Sequence, residues 1–424
     1  MMVSSLAAIS SGWKFFSDLV GGWDRFWFAP ADPTRLGFMR ICCGLVVFYV
    51  HLAYTPDLQE LFGKDAWISL DSINEYRHDQ PWVIHPWGWP ATDGKAKQPV
   101  RANDLEAQYM RKWYGFKPSL AYAKGYPAWS IWFHVTDPTW MMVVHCSFLV
   151  VFFLFTIGFC TRVTSVLAWL AAVSYIQRSP TSIFGMDTMM NILLIYLMIG
   201  PSGAALSVDR LISRWWVVRR AKLNHLPIPA PSRPAPRVSA NLAVRLLQIH
   251  FCMIYQASGL SKLQGNAWWN GTAVWGTMAI YEYCPMQMVT YDALLRFLCA
   301  HRWLWEIAMT GGVAFTLFTE IGFPFLVWNR KMRWWMITVA VLLHTSIAMF
   351  MGLVTFSLLM LTMLCAFVPQ ETVESLRNRL QGWVGQLRPE TSSSEAQPGN
   401  GAVRTSGPRN QEKVTARQAY SVNP

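Results

Sequence analysis

YQASGLSKLQGNAWWNG, residues Tyr255–Gly271, decides how the rest of the chain is read. It ends an apolar run that begins near Leu242, and it sets Lys262 where a membrane span would meet water. An ammonium in that position commonly snorkels, its stem in the apolar layer and its head outside. Gly265, Trp268, Trp269 and Gly271 point instead to a tight turn back against the interface, one that covers the lysine. A lysine kept from water in that way can serve as a proton acceptor. On these residues alone, the anchor and the base both stand.

Working outward, composition places the stretch in a membrane protein. The chain has 424 residues, 53% hydrophobic and only 14% charged, with 23 Trp. Soluble domains carry roughly a quarter charged residues. The net charge of +12 comes with no nucleic-acid motif. In a membrane protein such a surplus marks cytoplasmic loops. The eight cysteines form no CxxC pair and no zinc spacing. Cys284 and Cys299 share one aqueous-side segment, and whether they pair is left open.

The expected fold is all-α, a polytopic membrane bundle of about eight transmembrane helices with interfacial helices and a Trp-rich extracytoplasmic cap. Residues 1–33 carry Trp13, Phe16, Val20, Trp23 and Trp27 at three- and four-residue steps, one face of a helix lying in the interface or packed on its own protein. A transmembrane domain over 34–369 follows. Its spans are expected at Thr34–Tyr54, Thr139–Phe159, Val163–Gln177, Met186–Gly200, Leu242–Leu260, Leu304–Trp328, Trp334–Met351 and Gly352–Phe367. Arg162 and Arg178 are expected to snorkel from the ends of the short third span. Residues 55–137 form the cap, 201–240 a basic cytoplasmic loop with a proline-rich connector, and 370–424 a disordered cytoplasmic tail. Residues 272–303 read as a second interfacial segment.

Basic residues orient the bundle. Arg210, Arg214, Arg219, Arg220, Lys222, Arg233 and Arg237 precede span five, and Arg330, Lys331 and Arg333 follow span six. Both sets fall on the side of the N terminus, so both termini are expected to be cytoplasmic. His51, His145, Asp187, Lys262, Glu306 and His344 then gather in the outer half. His51 reads most simply as an interface residue and Glu306 as a carboxylate at a helix N-terminus. Asp187 is a cap or a site residue. His145 and His250 are more often satisfied by a neighbouring carbonyl. His344, in LLHTSIAMF, is flanked by hydrophobic residues throughout and favours a functional role. HExxH, GxSxG, P-loop and dinucleotide fingerprints are all missing.

Four stretches together resemble a known family. GLSKLQGNAWWNG is similar to the G-x-x-K-L…W-x-x-G signature of the vitamin K-dependent gamma-carboxylase membrane domain, within the wider horizontally transferred transmembrane (HTTM) family. DPTRLGFMRICCG resembles the family's approach to its first span. QRSPTSIFGMDTMMN with PSGAALSVDR resembles its G-x-D and S-x-D pair, and LLHTSIAMFMGLVTF its late histidine followed by glycine. The resemblance covers roughly residues 30–370. Position 261 is Ser where the eukaryotic signature has a second lysine, and residues 370–424 offer no counterpart of the large lumenal domain.

The resemblance implies a lyase-like carboxylase or oxygenase that uses a reduced naphthoquinone and oxygen at the outer side of the membrane. Lys262 would be the base that deprotonates the quinol, with His344 and Asp187 as catalytic partners. Trp268, Trp269, His145 and Gly265 are the candidates for holding the quinone. A protein or lipid on the extracytoplasmic side would be the substrate, no metal is expected, and no carboxylate is expected close to Lys262. The alternative is a non-catalytic quinone- or lipid-binding membrane protein, an electron-transport accessory or envelope scaffold. A transporter is disfavoured, because the polar groups cluster on one side and no inverted repeat is visible.

Overall fold

The computed structural model describes residues 17–79, 128–230, 232–279 and 289–386. The expectations for Trp13 and Phe16, for the middle of the cap, for Cys284 and for the tail beyond 386 fall outside these residues. The chain divides after Glu374 into two units. Of the second, the described part is the end of the helix Gln370–Gln386. Everything below concerns the first unit.

The described residues are helical and contain no strand, only one isolated bridge between Ala31 and Arg237. The principal helices are α1 (Thr34–Ala53), α2 (Pro138–Ile157), α3 (Thr161–Arg178), α4 (Gly185–Ile199), α5 (Val208–Leu223), α6 (Val238–Lys262), α7 (Arg302–Leu326), α8 (Arg333–Met351) and α9 (Val354–Leu364). The local causes are ordinary. Asp137 caps α2, its carboxylate accepting from the Thr139 and Trp140 amides, with Pro138 at the first helical position. Ser207 caps α5. Gly158 (φ 73°) closes α2 in the left-handed conformation.

All eight expected spans are helices. Five are long and apolar enough to cross a membrane, and six are if the bent pair Val354–Phe367 and Gln370–Leu376 counts as one span. α4 has only 15 residues. α3 is the less apolar one, because Thr161, Thr164, Ser165 and Ser174 lie on its buried face. Two further readings are corrected. The loop expected over 201–240 contains the sixteen-residue helix α5, which exposes Leu211, Trp215 and Trp216 together with arginines. Arg178 does not snorkel. It is fully buried, and its guanidinium donates to the carbonyls of Phe62, Gly63 and Ile68.

The bundle falls into two halves. α1 packs on α2 and α4, α2 on α3, and α3 on α4; α6 packs on α7, and α7 on α8. α4 and α9 join them, α4 against α6, and α9 against α1, α4, α6 and α8. One continuous core, from Leu36 and Met39 through Phe155, Leu193 and Phe251 to Phe323 and Phe367, fills the interior. The helix over 17–28 rests its end on α6. There the Phe26 and Trp27 carbonyls accept from Asn241 and Arg245, while Trp23 stays exposed.

Candidate functional site

The face of α6 at Tyr255, Ser258, Gly259 and Lys262 follows the helical period, so these residues line up one above another. α7 lies against that face in the opposite direction, with Phe251 and Tyr255 against Phe323 at 5.3 and 4.9 Å between ring centroids. Gly259 permits the approach. A Cβ there would come 2.7 Å from Ile321 and 3.2 Å from the Glu320 Cβ. The close contact sets Glu320 opposite Lys262.

The result is an ion pair inside the bundle. Lys262 Nζ donates to Glu320 Oε1 at 2.8 Å and stands 2.7 Å from Oε2. It also donates to Ser258 Oγ at 2.6 Å, and the Trp268 ring lies 5.4 Å from the ammonium. The side chains are 23% and 10% exposed, so both charges are shielded from bulk solvent. Lys262 closes α6, but α7 runs on past it. Gly271 (φ 76°, a turn that favours glycine) and Val274 fold back along that extension, against Thr310 and Gly312. This is the covering turn expected from Gly265 to Gly271. Trp268 is half-buried in it, whereas Trp269 is 72% exposed and its indole donates to the Leu263 carbonyl.

One turn below Ser258, Tyr255 Oη and His344 Nε2 are 2.7 Å apart, both residues buried. His344 Nδ1 is buried without a hydrogen-bond partner among the described residues. Lys262, Glu320, Ser258, Tyr255 and His344 therefore form one polar column through apolar helices α6, α7 and α8.

The other expected residues are elsewhere. His145 bonds Tyr175 Oη through Nδ1 at 2.7 Å and Thr55 through Nε2 at 3.0 Å. Asp187 Oδ2 accepts the Phe184 amide at 3.1 Å, a cap at the start of α4. Asp187 lines a cavity with His51 and Tyr175, to which Lys262 and His344 do not contribute. Asp209, the S-x-D residue, caps α3 by accepting from the amides of Cys160 and Thr161. Glu306 pairs with Arg302 on the surface. The expectation that no carboxylate approaches Lys262 is overturned by Glu320. Its signal was a lone acid in FTEIGFPF, inside an apolar run where ionisable residues are costly and ask for a partner.

Comparison with protein-family models, with curated proteins and with solved structures returned no match. The family resemblance thus rests on the four motifs. Two of them, the lysine and the late histidine, lie along the same face of α6: Lys262 is on it, and His344 bonds Tyr255 about two turns away.

Proposed function

We propose that this is a multi-pass protein of the cell or inner membrane, related to the gamma-carboxylase membrane domain, in which the Lys262–Glu320 column handles protons for a reduced naphthoquinone. The observation that carries the reading is the ion pair itself, set between two apolar helices beside a hydroxyl and an aromatic face. That set fits a hydroxylated ring. It offers donors and acceptors for the hydroxyls and the Trp268 face for stacking. When bound, a reduced naphthoquinone supplies the electrons for oxygen activation. The chain's own contribution is the proton. Passage of one proton from the Lys262 ammonium to Glu320 leaves an amine beside a carboxylic acid, and the amine then accepts from a ring hydroxyl. Ser258 holds the amine in place. Tyr255 fixes the His344 ring. The acceptor substrate in this reading is a protein or lipid at the outer side.

In nanodiscs, the purified protein should consume oxygen when given a naphthoquinol, and Lys262→Ala should abolish the uptake. Lys262→Arg should fail as well, because guanidinium does not release its proton. Full uptake in the arginine variant would reduce the lysine to a positive charge. A second reading, a non-catalytic quinone- or lipid-binding protein, is favoured by the cavity of about 190 Å³ to which Lys262 does not contribute. Binding of the quinone untouched by Lys262→Ala, with no oxygen uptake in any variant, would select it. Both readings place the N and C termini in the cytoplasm. Cysteine at Ser232 should then resist impermeant thiol reagents in intact cells, and cysteine at Ser72 should react.

A further inference from the structure

A second constellation, independent of the quinol reading, occupies the half of the bundle made by α1 to α4. A cavity of about 190 Å³ is lined by His51, Tyr54, Phe62, Trp67, Tyr175 and Asp187 among others. At roughly 30 Å³ per water it holds about six waters or a small organic group.

The polarity of its walls is one-sided. His51 is 1% exposed, and its Nδ1 lies 2.7 Å from the Val47 carbonyl. A carbonyl only accepts, so Nδ1 carries the proton and Nε2 presents a lone pair. That Nε2 is buried with no partner among the described residues. Asp187 is the one charged residue of the lining and makes no ion pair among the described residues. Ser179 and Ser182 are also in the lining, and Tyr54, Phe62, Trp67 and Tyr175 supply ring faces, which attract cations. Arg178 is close in sequence to the lining, but its guanidinium is committed to the carbonyls of Phe62, Gly63 and Ile68. A histidine with an unbonded ring nitrogen, a carboxylate without an ion-pair partner among the described residues and a set of aromatic rings line one space.

We infer that this cavity binds a primary amine in its ammonium form, either a small free amine or the headgroup of an aminophospholipid. Asp187 supplies the counter-charge, His51 Nε2 accepts one N–H, the Tyr54 and Phe62 rings enclose the rest, and the exposed Trp67 borders it.

Calorimetric titration of the full-length protein in maltoside micelles tests this with phenethylamine, 2-phenylethanol and phenylacetate as probes. Phenethylamine should bind about tenfold or more tighter than the alcohol, as hydrogen bonds to charged groups warrant, and phenylacetate should not bind. Asp187→Asn keeps the capping oxygen and should erase the preference for the amine. His51→Phe should weaken the amine several-fold. Equal affinities for amine and alcohol, or an unchanged preference in Asp187→Asn, would overturn the inference. Should Asp187→Asn not fold, Trp67→Leu carries the test. Trp67 is 89% exposed, so its loss spares packing. Weaker amine binding is expected there, and unchanged binding would overturn the inference. Phosphatidylcholine nanodiscs with and without phosphatidylethanolamine distinguish the two sources. Competition by the second lipid assigns the headgroup, and its absence assigns a free amine.

Discussion

Two halves of one bundle bury cations in different ways. In the half made by α1 to α4, Arg40 and Arg178 are fully buried and spend their donors on backbone carbonyls. Arg40 donates to Ser202, Leu206 and Thr156, tying the start of α1 to the end of α2 and the α4–α5 turn. In the half made by α6 to α8, Lys262 meets a carboxylate, a hydroxyl and a ring. Carbonyls cannot take up a proton, and guanidinium does not give one up, so the arginines are fasteners. An ammonium facing a carboxylate has two groups that can exchange a proton. The difference separates a buried cation that only fastens from one whose partner can take up a proton.

The comparison predicts its largest effect at a fastener. Arg40→Met leaves several carbonyls without donors, each costing about 1–3 kcal/mol, so the variant should lose about 4 kcal/mol or more and be recovered poorly from membranes. A melting curve like that of the wild type would break the contrast from the structural side.

Glu320→Gln comes next. Removing one partner of a buried pair costs about 3–5 kcal/mol, and the partial exposure of Lys262 places the expected loss at the lower end. The double variant Lys262→Met/Glu320→Leu removes both charges, and such replacements are often neutral or stabilising. Thermal melts of the singles and the double should therefore show most of the Glu320→Gln loss recovered. No recovery would mean that the pair is as structural as Arg40.

The smallest effect is at Tyr255→Phe, which removes one neutral hydrogen bond to His344, worth about 1 kcal/mol. Stability should fall by about that much. The His344 ring, no longer held, should show altered imidazole resonances by nuclear magnetic resonance.

Much of this was legible in the sequence. Apolar runs of about fifteen to twenty-five residues marked the expected spans; each is helical, and five are long and apolar enough to cross a membrane. The turn after Lys262 was readable from Gly271, because a tight reversal needs a residue tolerant of left-handed backbone. The partner of Lys262 was not read, because Glu320 lies 58 positions away and its identification needs the α6–α7 register. Gly259 sets that register, and a single glycine in a helix does not announce which neighbour it admits. Arg178 misled for a related reason. A cation at the end of an apolar run looks the same whether it snorkels or turns inward to a loop. His145 and His344 are buried polar groups within apolar helices, and Asp187 caps the start of one. Hydropathy alone gives no distances, and it did not divide them between the two halves.

The central claim is that the Lys262–Glu320 pair serves chemistry and is dispensable for the fold. Oxygen uptake driven by a naphthoquinol, measured on the wild type and on Lys262→Met/Glu320→Leu at matched melting temperature, tests it most directly. The wild type should turn over, and a folded double variant should not. Equal uptake by the two proteins, or a double variant that cannot fold, would contradict it.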